Sequence, residues 1–599
     1  MTTPHPTDLP VLAPNLAPVR RSDVSYYIAM RDGVEIALNL YFPNHLQPTT
    51  PVLALLAQTR YGRAGVGRNP HLPAQLERGY VFASVDTRGS TASFGRRHTE
   101  LSPEQQADTE EIVAHLAAQP WCNGRVVAVG TSYLADTADM ATSRPAPGLV
   151  GAIPMQADFD VYAHLFYPGG VTNTGFIMDW GQITRMMDLG RSADGQELDG
   201  RLRPADLPAL YPQLQAVDAD KDFSKLHAAL QDKQRWWPQD WLGVSFRDDR
   251  GANGYSLFAS SPAGVLAGIR RERKPVQYWG SWMDAGTADG ALARFRSAPE
   301  VPMEVWITPN DHQNATGCDP FRMNDRTPRP SVEQRLQIQF GFIDTVDRGE
   351  PVERVIHYWV LGADEFRRTK VWPPSGMTQQ VLYFAADGHL TDAPGLAGVD
   401  RKDIDLTTSS GPSSRWAGQK WGLPADYGDR AKPDERLMTY DSEPMKCDME
   451  LAGIPVLGLD VAALSSDPAF FVYLEDVAPD GQVTFLTEGQ FRALHRKIAD
   501  PLTLPYDQGP APHSFARADA LETSPGERMR VEFALSSVAA VIREGHRIRI
   551  AIGGADTHMF MTYSNGGTER FDVFYGAGCS TLTLPLRPWV EQEHGAHAG

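Results

Sequence analysis

The stretch RVVAVGTSYLA, at residues 125–135, decides the fold of this 599-residue chain. Its first five residues are apolar after the arginine, which is typical of a strand buried on both faces of a parallel sheet. A helix is predicted to follow over 134–142, so Ser132 lies at a sharp strand-to-helix turn. Such a turn needs small neighbours, and Gly130 and Ala135 are the small residues beside it, although Leu134 holds the second glycine position of the usual Gly-x-Ser-x-Gly pattern. We therefore expect the Ser132 hydroxyl to project above the edge of the sheet.

The segments around this turn indicate a parallel sheet with crossover helices, the α/β class. A helix is predicted over 103–119, because Ser102 is a good N-cap, Pro103 suits the first helical position and Gln105 completes a capping box. A further helix is predicted over 332–346. Strands are predicted at 51–56, 80–85, 149–155, 275–279 and 301–308.

Two later regions differ in pattern from this sheet. Residues 156–270 are rich in Trp, Tyr, Met and charged residues, and they predict a helical cap inserted over the sheet. After about residue 350, apolar and polar residues alternate, as in 529–535 and 548–552, which is typical of an antiparallel sandwich. The predicted division is a flexible N-terminal arm at 1–20, an α/β domain at 21–155 and 271–370, the helical cap at 156–270, and an all-β sandwich domain at 371–599.

Loops after two later strands carry candidate partners for Ser132. Asp284 follows the predicted strand 275–279, and His312 follows the predicted strand 301–308. The carboxyl ends of parallel strands meet at one edge of the sheet. Serine is a weak nucleophile, so its chemistry needs an imidazole to take the proton and a carboxylate to orient that imidazole. The sequence therefore predicts a catalytic triad.

Alternatives exist for the acid of this triad. Asp311 is the immediate neighbour of His312, and an adjacent loop residue rarely folds back to orient its own histidine. Asp289 is predicted to lie on the helix after the acid loop. The backbone N–H of Tyr133, at a helix N-terminus, is predicted to donate to the oxyanion of the transition state.

With these residues in order, the chain resembles the cocaine esterase/X-prolyl dipeptidyl aminopeptidase (CocE/NonD-type) family of α/β-hydrolases, which includes α-amino acid ester hydrolases and glutaryl acylases. The resemblance covers nearly the whole chain. The motifs that carry it are Gly130-Thr131-Ser132-Tyr133, Gly280-Ser281-Trp282-Met283-Asp284, His312, Met30-Arg31-Asp32-Gly33-Val34, Asp86-Thr87-Arg88-Gly89, Gln119-Pro120-Trp121-Cys122-Asn123-Gly124, Tyr167-Pro168-Gly169-Gly170 and Gly545-His546-Arg547.

The resemblance implies a second oxyanion donor and a helical cap followed by a jelly-roll domain. A tyrosine after the first core strand has this role in the family, and Tyr61 holds the matching position, although Arg60 replaces the usual proline. The candidate substrate-binding residues are Trp180, Trp282 and Asp136. Asp136 has two interpretations: a favourable carboxylate in the first helical turn, or an acidic subsite for an amino-bearing acyl group.

The bulk composition excludes several classes of partner. A net charge of -18 argues against nucleic acid. No basic leader precedes an apolar stretch, and no apolar run reaches the roughly 20 residues of a membrane span. Four widely spaced cysteines give neither a metal motif nor a disulfide framework, so we expect a cytoplasmic protein without metal or cofactor. The resemblance adds the expectation of a homo-oligomer.

The predicted function is hydrolysis of carboxylic esters through an acyl-enzyme, with amides less favoured. The substrate is expected to be a small molecule. Alternatives within the same chemistry are an X-prolyl dipeptidyl peptidase and an acylase for β-lactams or amino-acid esters. Alternatives from other classes are an inactive ligand-binding protein, in which the triad would be a relic, and an acyltransferase.

Overall fold

The computed structural model describes residues 20–189, 214–232, 241–251, 253–564 and 566–591. Its first sheet contains ten strands. They are β1 (Val24–Ala29), β2 (Glu35–Tyr41), β3 (Val52–Thr59), β4 (Val81–Asp86), β5 (Cys122–Thr131), β6 (Leu149–Met155), β7 (Val276–Ser281), β8 (Met303–Thr308), β9 (Val355–Val360) and β10 (Glu365–Thr369).

The strand order across this sheet is β1-β2-β4-β3-β5-β6-β7-β8-β9-β10. Every pair between β4 and β9 is parallel, while β1–β2, β2–β4 and β9–β10 are antiparallel. The α/β fold class is therefore confirmed. The crossover between β6 and β7 is the long one, and it contains the residues predicted to form the cap.

Helices cover both faces of this sheet, because alternate strand residues point to opposite sides. Leu53 and Leu55 of β3 pack in one cluster with Leu72 and Phe340, whereas Leu56 packs with the helices on the other face. The α-helices of the described residues are α1 (Leu72–Glu77), α2 (Pro103–Ala117), α3 (Tyr133–Ala141), α4 (Thr174–Leu189), α5 (Ser224–Gln231), α6 (Leu266–Glu272), α7 (Thr287–Ser297), α8 (Val332–Asp347), α9 (Arg415–Trp421) and α10 (Ala431–Asp434).

The second sheet system is built from β-strands that pair almost entirely antiparallel, with β12–β14 as a parallel exception. Its strands are β11 (Thr378–Ala385), β12 (His389–Thr391), β13 (Gly398–Ile404), β14 (Met438–Ser442), β15 (Met449–Gly453), β16 (Val456–Ala463), β17 (Ala469–Val477), β18 (Val483–Arg492), β19 (Arg528–Ala534), β20 (Val538–Ile542), β21 (Arg547–Gly553), β22 (Glu569–Tyr575) and β23 (Thr581–Pro588). The expectation of a β-rich C-terminal domain is confirmed.

Two glycines let the chain after β6 approach this second domain. Both have positive φ, 60° at Gly169 and 77° at Gly170. A Cβ on Gly169 would lie 1.8 Å from the Gln490 carbonyl oxygen of β18, and one on Gly170 would lie 2.1 Å from the His495 ring. Only glycine fits here, which gives the Tyr-Pro-Gly-Gly motif a structural reason.

The division into domains stays a proposal, with residues 21–155 and 271–370 as the α/β domain and 371–599 as the jelly-roll. Strand β10 ends at Thr369 and β11 begins at Thr378, which supports this boundary. The proposed cap at 156–270 is partly outside the described residues. The predicted flexible arm at 1–20 lies outside them except for Arg20.

Candidate active site

Ser132 lies between β5 and α3 in a backbone conformation that few residues adopt. Its φ is 63° and its ψ is -133°, and its N–H donates to the Met155 carbonyl at 3.0 Å. The turn is tight enough that a Cβ on Gly130 would lie 2.4 Å from Leu134. Positive φ at a non-glycine residue is strained, and such strain concentrates at functional positions. This is the geometry expected of a nucleophile turn.

His312 and Asp284 are in contact at the same sheet edge. The His312 Nδ1 and the Asp284 Oδ2 are 2.8 Å apart, and both residues are buried. Burial alone would lower the pKa of His312, but the Asp284 carboxylate, together with the more distant Asp158 and Asp311, raises the pKa above its ordinary value. An imidazole held at Nδ1 by a carboxylate presents Nε2 as a base.

The two alternative acids have other partners. Asp311 Oδ1 accepts the backbone N–H groups of Ala315 and Thr316 at 2.8 and 3.1 Å, so it closes its own loop. Asp289 Oδ1 accepts the N–H of Ser537 at 2.8 Å, which ties α7 to the second domain. Among these three carboxylates, only Asp284 is hydrogen-bonded to the imidazole.

The predicted oxyanion donors, Tyr61 and Tyr133, lie next to one another. Their rings meet edge to face with centroids 5.9 Å apart, and both residues line the pocket that contains Ser132. As the first residue of α3, Tyr133 has no helical partner for its N–H. Trp180 Nε1 donates to the Tyr61 hydroxyl oxygen at 2.9 Å, which leaves the Tyr61 O–H free to donate elsewhere. Burial raises the pKa of Tyr61 to about 12.

The pocket above Ser132 is narrow and lined mainly by apolar side chains, with a cavity of about 40 Å³. Trp180 is one of its lining residues, as is Asp136, whereas Trp282 is not. The Trp282 ring packs 5.7 Å from the Trp372 ring, and its Nε1 donates to the Trp359 carbonyl. The apolar side chains around the pocket are Tyr61, Leu101, Tyr133, Val161, Leu165, Phe166, Phe176, Trp180, Trp241 and Leu257.

Asp136 lies in the first turn of α3, where it is buried and lines the pocket. Its Oδ1 accepts the N–H of Asp158 at 2.9 Å, and Asp158 lines the same pocket. Burial and the neighbouring carboxyl raise the pKa of Asp136 well above its ordinary value. Burial, followed by the charge of Asp284, raises the pKa of Asp158 to about 7. Gln419 of α9 donates to both Asp158 oxygens at 3.3 Å.

Asp158, Gln419 and Gln156 were missed by the sequence reasoning. Gln156 is fully buried and bridges two loops, because its Nε2 donates to the Asp311 carbonyl at 3.4 Å and its Oε1 accepts the Thr287 hydroxyl at 3.3 Å. Gln156 and Asp158 follow directly after β6, at the sheet edge where the other site residues lie. This position was the sequence signal that could have identified them. Gln419 has no comparable signal, since it comes from the other domain.

Within the described residues, no helix is both long and apolar enough to cross a bilayer. In the same part of the chain, no group of three or more His, Cys, Asp or Glu side chains is arranged to hold a metal ion.

Sequence comparisons agree with this architecture. The profile of the X-Pro dipeptidyl-peptidase (S15 family) matches residues 32–314, and that of the X-Pro dipeptidyl-peptidase C-terminal non-catalytic domain matches residues 328–573. A Mycobacterium bovis protein named "Putative serine esterase" is 34% identical over 90% of this chain and 91% of its own length. The cocaine esterase of Rhodococcus is 24% identical over 90% of this chain and 92% of its own length.

Solved structures share the fold over nearly the full length. An α-amino acid ester hydrolase superposes with a TM-score of 0.70 at 18% identity, covering 98% of this chain and 100% of its own. A CocE/NonD family hydrolase from Staphylococcus aureus superposes with a TM-score of 0.66 at 18% identity, covering 94% and 93%. The expected family and enzyme class are thus confirmed. The chain belongs to the CocE/NonD family of serine esterases and hydrolases, with an S15 X-Pro dipeptidyl-peptidase domain followed by its C-terminal domain.

Proposed function

We propose that Ser132 is the nucleophile, His312 the general base and Asp284 the orienting acid of an acyl-enzyme mechanism. The observation that carries this proposal is the buried 2.8 Å contact of His312 with Asp284, at the edge where Ser132 lies in its strained turn. His312 takes the hydroxyl proton as Ser132 attacks the ester carbonyl, then returns it to the leaving alcohol. Water, activated by the same imidazole, releases the acid.

The oxyanion of each tetrahedral intermediate is proposed to accept hydrogen bonds from the Tyr61 hydroxyl and the Tyr133 N–H. Donors that are aimed before the reaction stabilise charge as it develops, without reorganisation in the transition state. The Trp180 indole supports this role, because its N–H donates to the hydroxyl oxygen of Tyr61 and leaves the hydroxyl hydrogen free to donate to the oxyanion. Aromatic and aliphatic side chains line the pocket around this arrangement.

The proposed substrate is an uncharged ester of a small, apolar or aromatic group. Phe166, Phe176, Trp180 and Trp241 line the pocket beside Ser132, and apolar contact is their main contribution to binding. Esters are favoured over amides because a good leaving group demands less acid catalysis from His312. Hydrolysis, not transfer to another acceptor, is the proposed outcome.

A second candidate is an ester or amide whose acyl group carries an amine. The observation that favours it is the pair of buried carboxyl groups, Asp136 and Asp158, in the lining of the pocket. An ammonium group between them would ionise one or both. X-prolyl dipeptides and amino-acid esters both belong to this class of substrate.

Labelling with a fluorophosphonate tests the nucleophile without knowledge of the substrate. We expect a covalent adduct on Ser132 in the wild-type protein and none in Ser132→Ala. The same variant should lose turnover of p-nitrophenyl esters while its circular dichroism spectrum stays unchanged. Adduct formation or full turnover in Ser132→Ala would exclude Ser132 as the nucleophile.

A panel of p-nitrophenyl esters then separates the two candidate substrates. Phenylacetyl and propionyl esters represent the uncharged class, and phenylglycyl and alanyl esters are their amino-bearing counterparts. We expect higher kcat/KM for the uncharged member of each pair at pH 7. The reverse order would favour the amino-bearing class.

Cytoplasmic location and self-association are also proposals. All four cysteines are free, at Cys122, Cys318, Cys447 and Cys579, which is compatible with a reducing compartment. Fractionation of the native host tests the location. Light scattering of the purified protein tests the homo-oligomer that the family resemblance implies.

A further inference from the structure

A second, much larger cavity lies behind the Ser132 turn, between the sheet and α8. Its volume is about 770 Å³, in the range of roughly 300–1,000 Å³ that small-molecule sites occupy. Gly130, Thr131 and Leu134 of the nucleophile turn line it, and Tyr61 lines both this cavity and the pocket above Ser132. The proposed ester hydrolysis does not use this space.

The charged groups of the cavity are unbalanced. Arg335 and Arg68 line it, while none of its described lining residues is an aspartate or glutamate. Arg335 is only 2% exposed, and among the described residues it forms no direct ion pair, although the Asp311 carboxylate is close enough to act on its charge. Its Nη2 donates to His71 Nε2 at 3.1 Å, and its Nη1 donates to the Asn314 carbonyl. Burial lowers the pKa of Arg335 to about 10 against the opposing effect of Asp311, because a buried cation without a direct ion pair is costly.

Other polar groups of the cavity also lack partners. The side chain of Asn314 is 2% exposed, and neither its amide nitrogen nor its amide oxygen has a hydrogen-bond partner in the described structure. Because Asn314 lines the cavity beside Arg335, these atoms are available to a ligand. Burial and the nearby Arg335 lower the pKa of His71 to about 4, so His71 is neutral near pH 7 and adds no second charge.

The remainder of the lining is mostly apolar. Phe82 and Ile153 contribute from two strands and Phe340 from α8. A ligand that satisfies both parts needs one anionic group and an apolar body.

We propose that this cavity is a second binding site, which takes a monocarboxylate with an apolar tail. The carboxylate accepts hydrogen bonds from the Arg335 guanidinium and the Asn314 amide, and the tail packs along Phe82, Ile153 and Phe340. Carboxylates of this kind have the chemistry of the acids that ester hydrolysis releases. Binding here is independent of turnover, so the site stands or falls separately from the proposed function.

Calorimetric titration of the full-length protein with octanoate tests the site. We expect saturable binding that weakens at least about 10-fold in Arg335→Met, because a hydrogen-bonded charge pair is lost. Arg348→Met is the matched control, since Arg348 follows the same helix, is 56% exposed and pairs with Glu350. Its affinity for octanoate should equal that of the wild type. Leu336→Trp fills part of the cavity without touching the guanidinium, and it should also weaken binding.

The chemistry of the ligand is tested with relatives of octanoate. Hexanoate should bind roughly 15-fold more weakly, because each methylene contributes about four-fold. Octylamine, with the opposite charge, should not compete. Octanoate affinity that is unchanged in both Arg335→Met and Leu336→Trp overturns the proposal, since the ligand would then occupy the pocket above Ser132.

One further variant tests whether the cavity is free for a ligand or is filled by the N-terminal residues of the chain. Arg20 donates its N–H to the Gly67 carbonyl at 3.0 Å, next to the cavity residue Arg68. If deletion of residues 2–19 creates octanoate binding that the full chain lacks, the N-terminal residues occupy the cavity and the proposal is wrong. Equal affinity with and without residues 2–19 supports it.

Discussion

Replacing Tyr61 with phenylalanine removes one hydroxyl and nothing else from the pocket above Ser132. The hydroxyl oxygen accepts the Trp180 indole N–H at 2.9 Å, and the pKa of Tyr61 near 12 keeps the hydrogen in place at every working pH. The variant therefore loses one preorganised donor to the oxyanion. Removal of such a donor costs about 2.7–4 kcal/mol of transition-state stabilisation, or roughly 10²–10³ in kcat.

The lining of the cavity above Ser132, which has a volume of about 40 Å³, includes polar residues such as Thr99, Glu100 and Ser260 beside the aromatic ones. A water that replaces the lost hydroxyl finds partners there, so we expect a loss in the lower part of this range. Turnover of p-nitrophenyl butyrate under saturating conditions measures the effect, with KM expected to change by less than about three-fold. Tyr133→Phe is the control, because its hydroxyl donates to Gln105 Oε1 and its proposed contribution comes from the backbone.

The role of Trp180 follows from the same experiment. Trp180→Phe removes the donor that orients the Tyr61 hydroxyl, and loss of a neutral hydrogen bond of about 1 kcal/mol predicts a five-fold lower kcat. In the double variant Tyr61→Phe/Trp180→Phe, kcat should match that of Tyr61→Phe alone, because the indole has no hydroxyl left to orient. A wild-type kcat in Tyr61→Phe, or an equal loss in Tyr133→Phe, would refute the reasoning.

Three other perturbations test the charges around the site. Asp284→Asn should lower kcat by about 10⁴ through loss of the correct imidazole tautomer, measured by ester turnover with unchanged near-ultraviolet circular dichroism. Because His312 must be neutral to act and its pKa is raised above 6.5, kcat/KM should fall as pH drops through that raised value. In Asp284→Asn the residual activity should show this fall at lower pH, and a fall at the same pH would contradict the assignment. Asp139→Leu strands the buried Arg294 charge, which predicts a loss of about 3–5 kcal/mol and a lower Tm. The double variant Asp139→Leu/Arg294→Met should recover most of the lost Tm. Equal Tm values for the single and double variants would show that the Asp139–Arg294 ion pair does not stabilise this region.

The sheet and its reactive turn were predictable because local sequence determines them. Residues 149–155 were predicted as a strand and form β6 with those bounds, since a run buried on both faces has no polar interruption. The turn at Ser132 was predictable for a steric reason, as Gly130 has no room for a side chain against Leu134. Asp284 and His312 were predicted as site residues from their chain order and from their positions after strands. They lie close together because the parallel sheet brings the ends of those strands to one edge.

Contacts between distant segments were beyond prediction. Gln419 reaches Asp158 across 261 residues of sequence, and no local pattern marks a glutamine in a helix of the second domain. The capping box predicted at Ser102 is half wrong for the same reason. Ser102 does accept the Gln105 N–H at 3.3 Å, but the Gln105 side chain accepts the Tyr133 hydroxyl instead of turning back to the helix start.

The replacement of proline by arginine before Tyr61 is also explained by distant contacts. Arg60 is fully buried, pairs with Asp188 at 2.8 Å and with Glu100, and lies 5.3 Å over the ring of Trp180. The arginine thus fixes the residue that in turn orients the Tyr61 hydroxyl. Arg60, which departs from the family pattern in the sequence, thus supports the proposed oxyanion site in the folded structure.

The carboxyl groups near Ser132 differ in charge because their partners differ. Asp284 faces an imidazole and Asp139 faces the Arg294 guanidinium, whereas Asp136 and Asp158 face each other and the neutral Gln419 amide. Burial and the charge of Asp158 raise the pKa of Asp136 well above its ordinary value, so the ionised form of Asp136 is disfavoured in the pocket. An amino-bearing substrate gains an ion pair with Asp136 only at the cost of ionising it, while an uncharged ester has no such cost. This difference is the physical reason for proposing an uncharged ester, and not an amino-bearing one, as the preferred substrate.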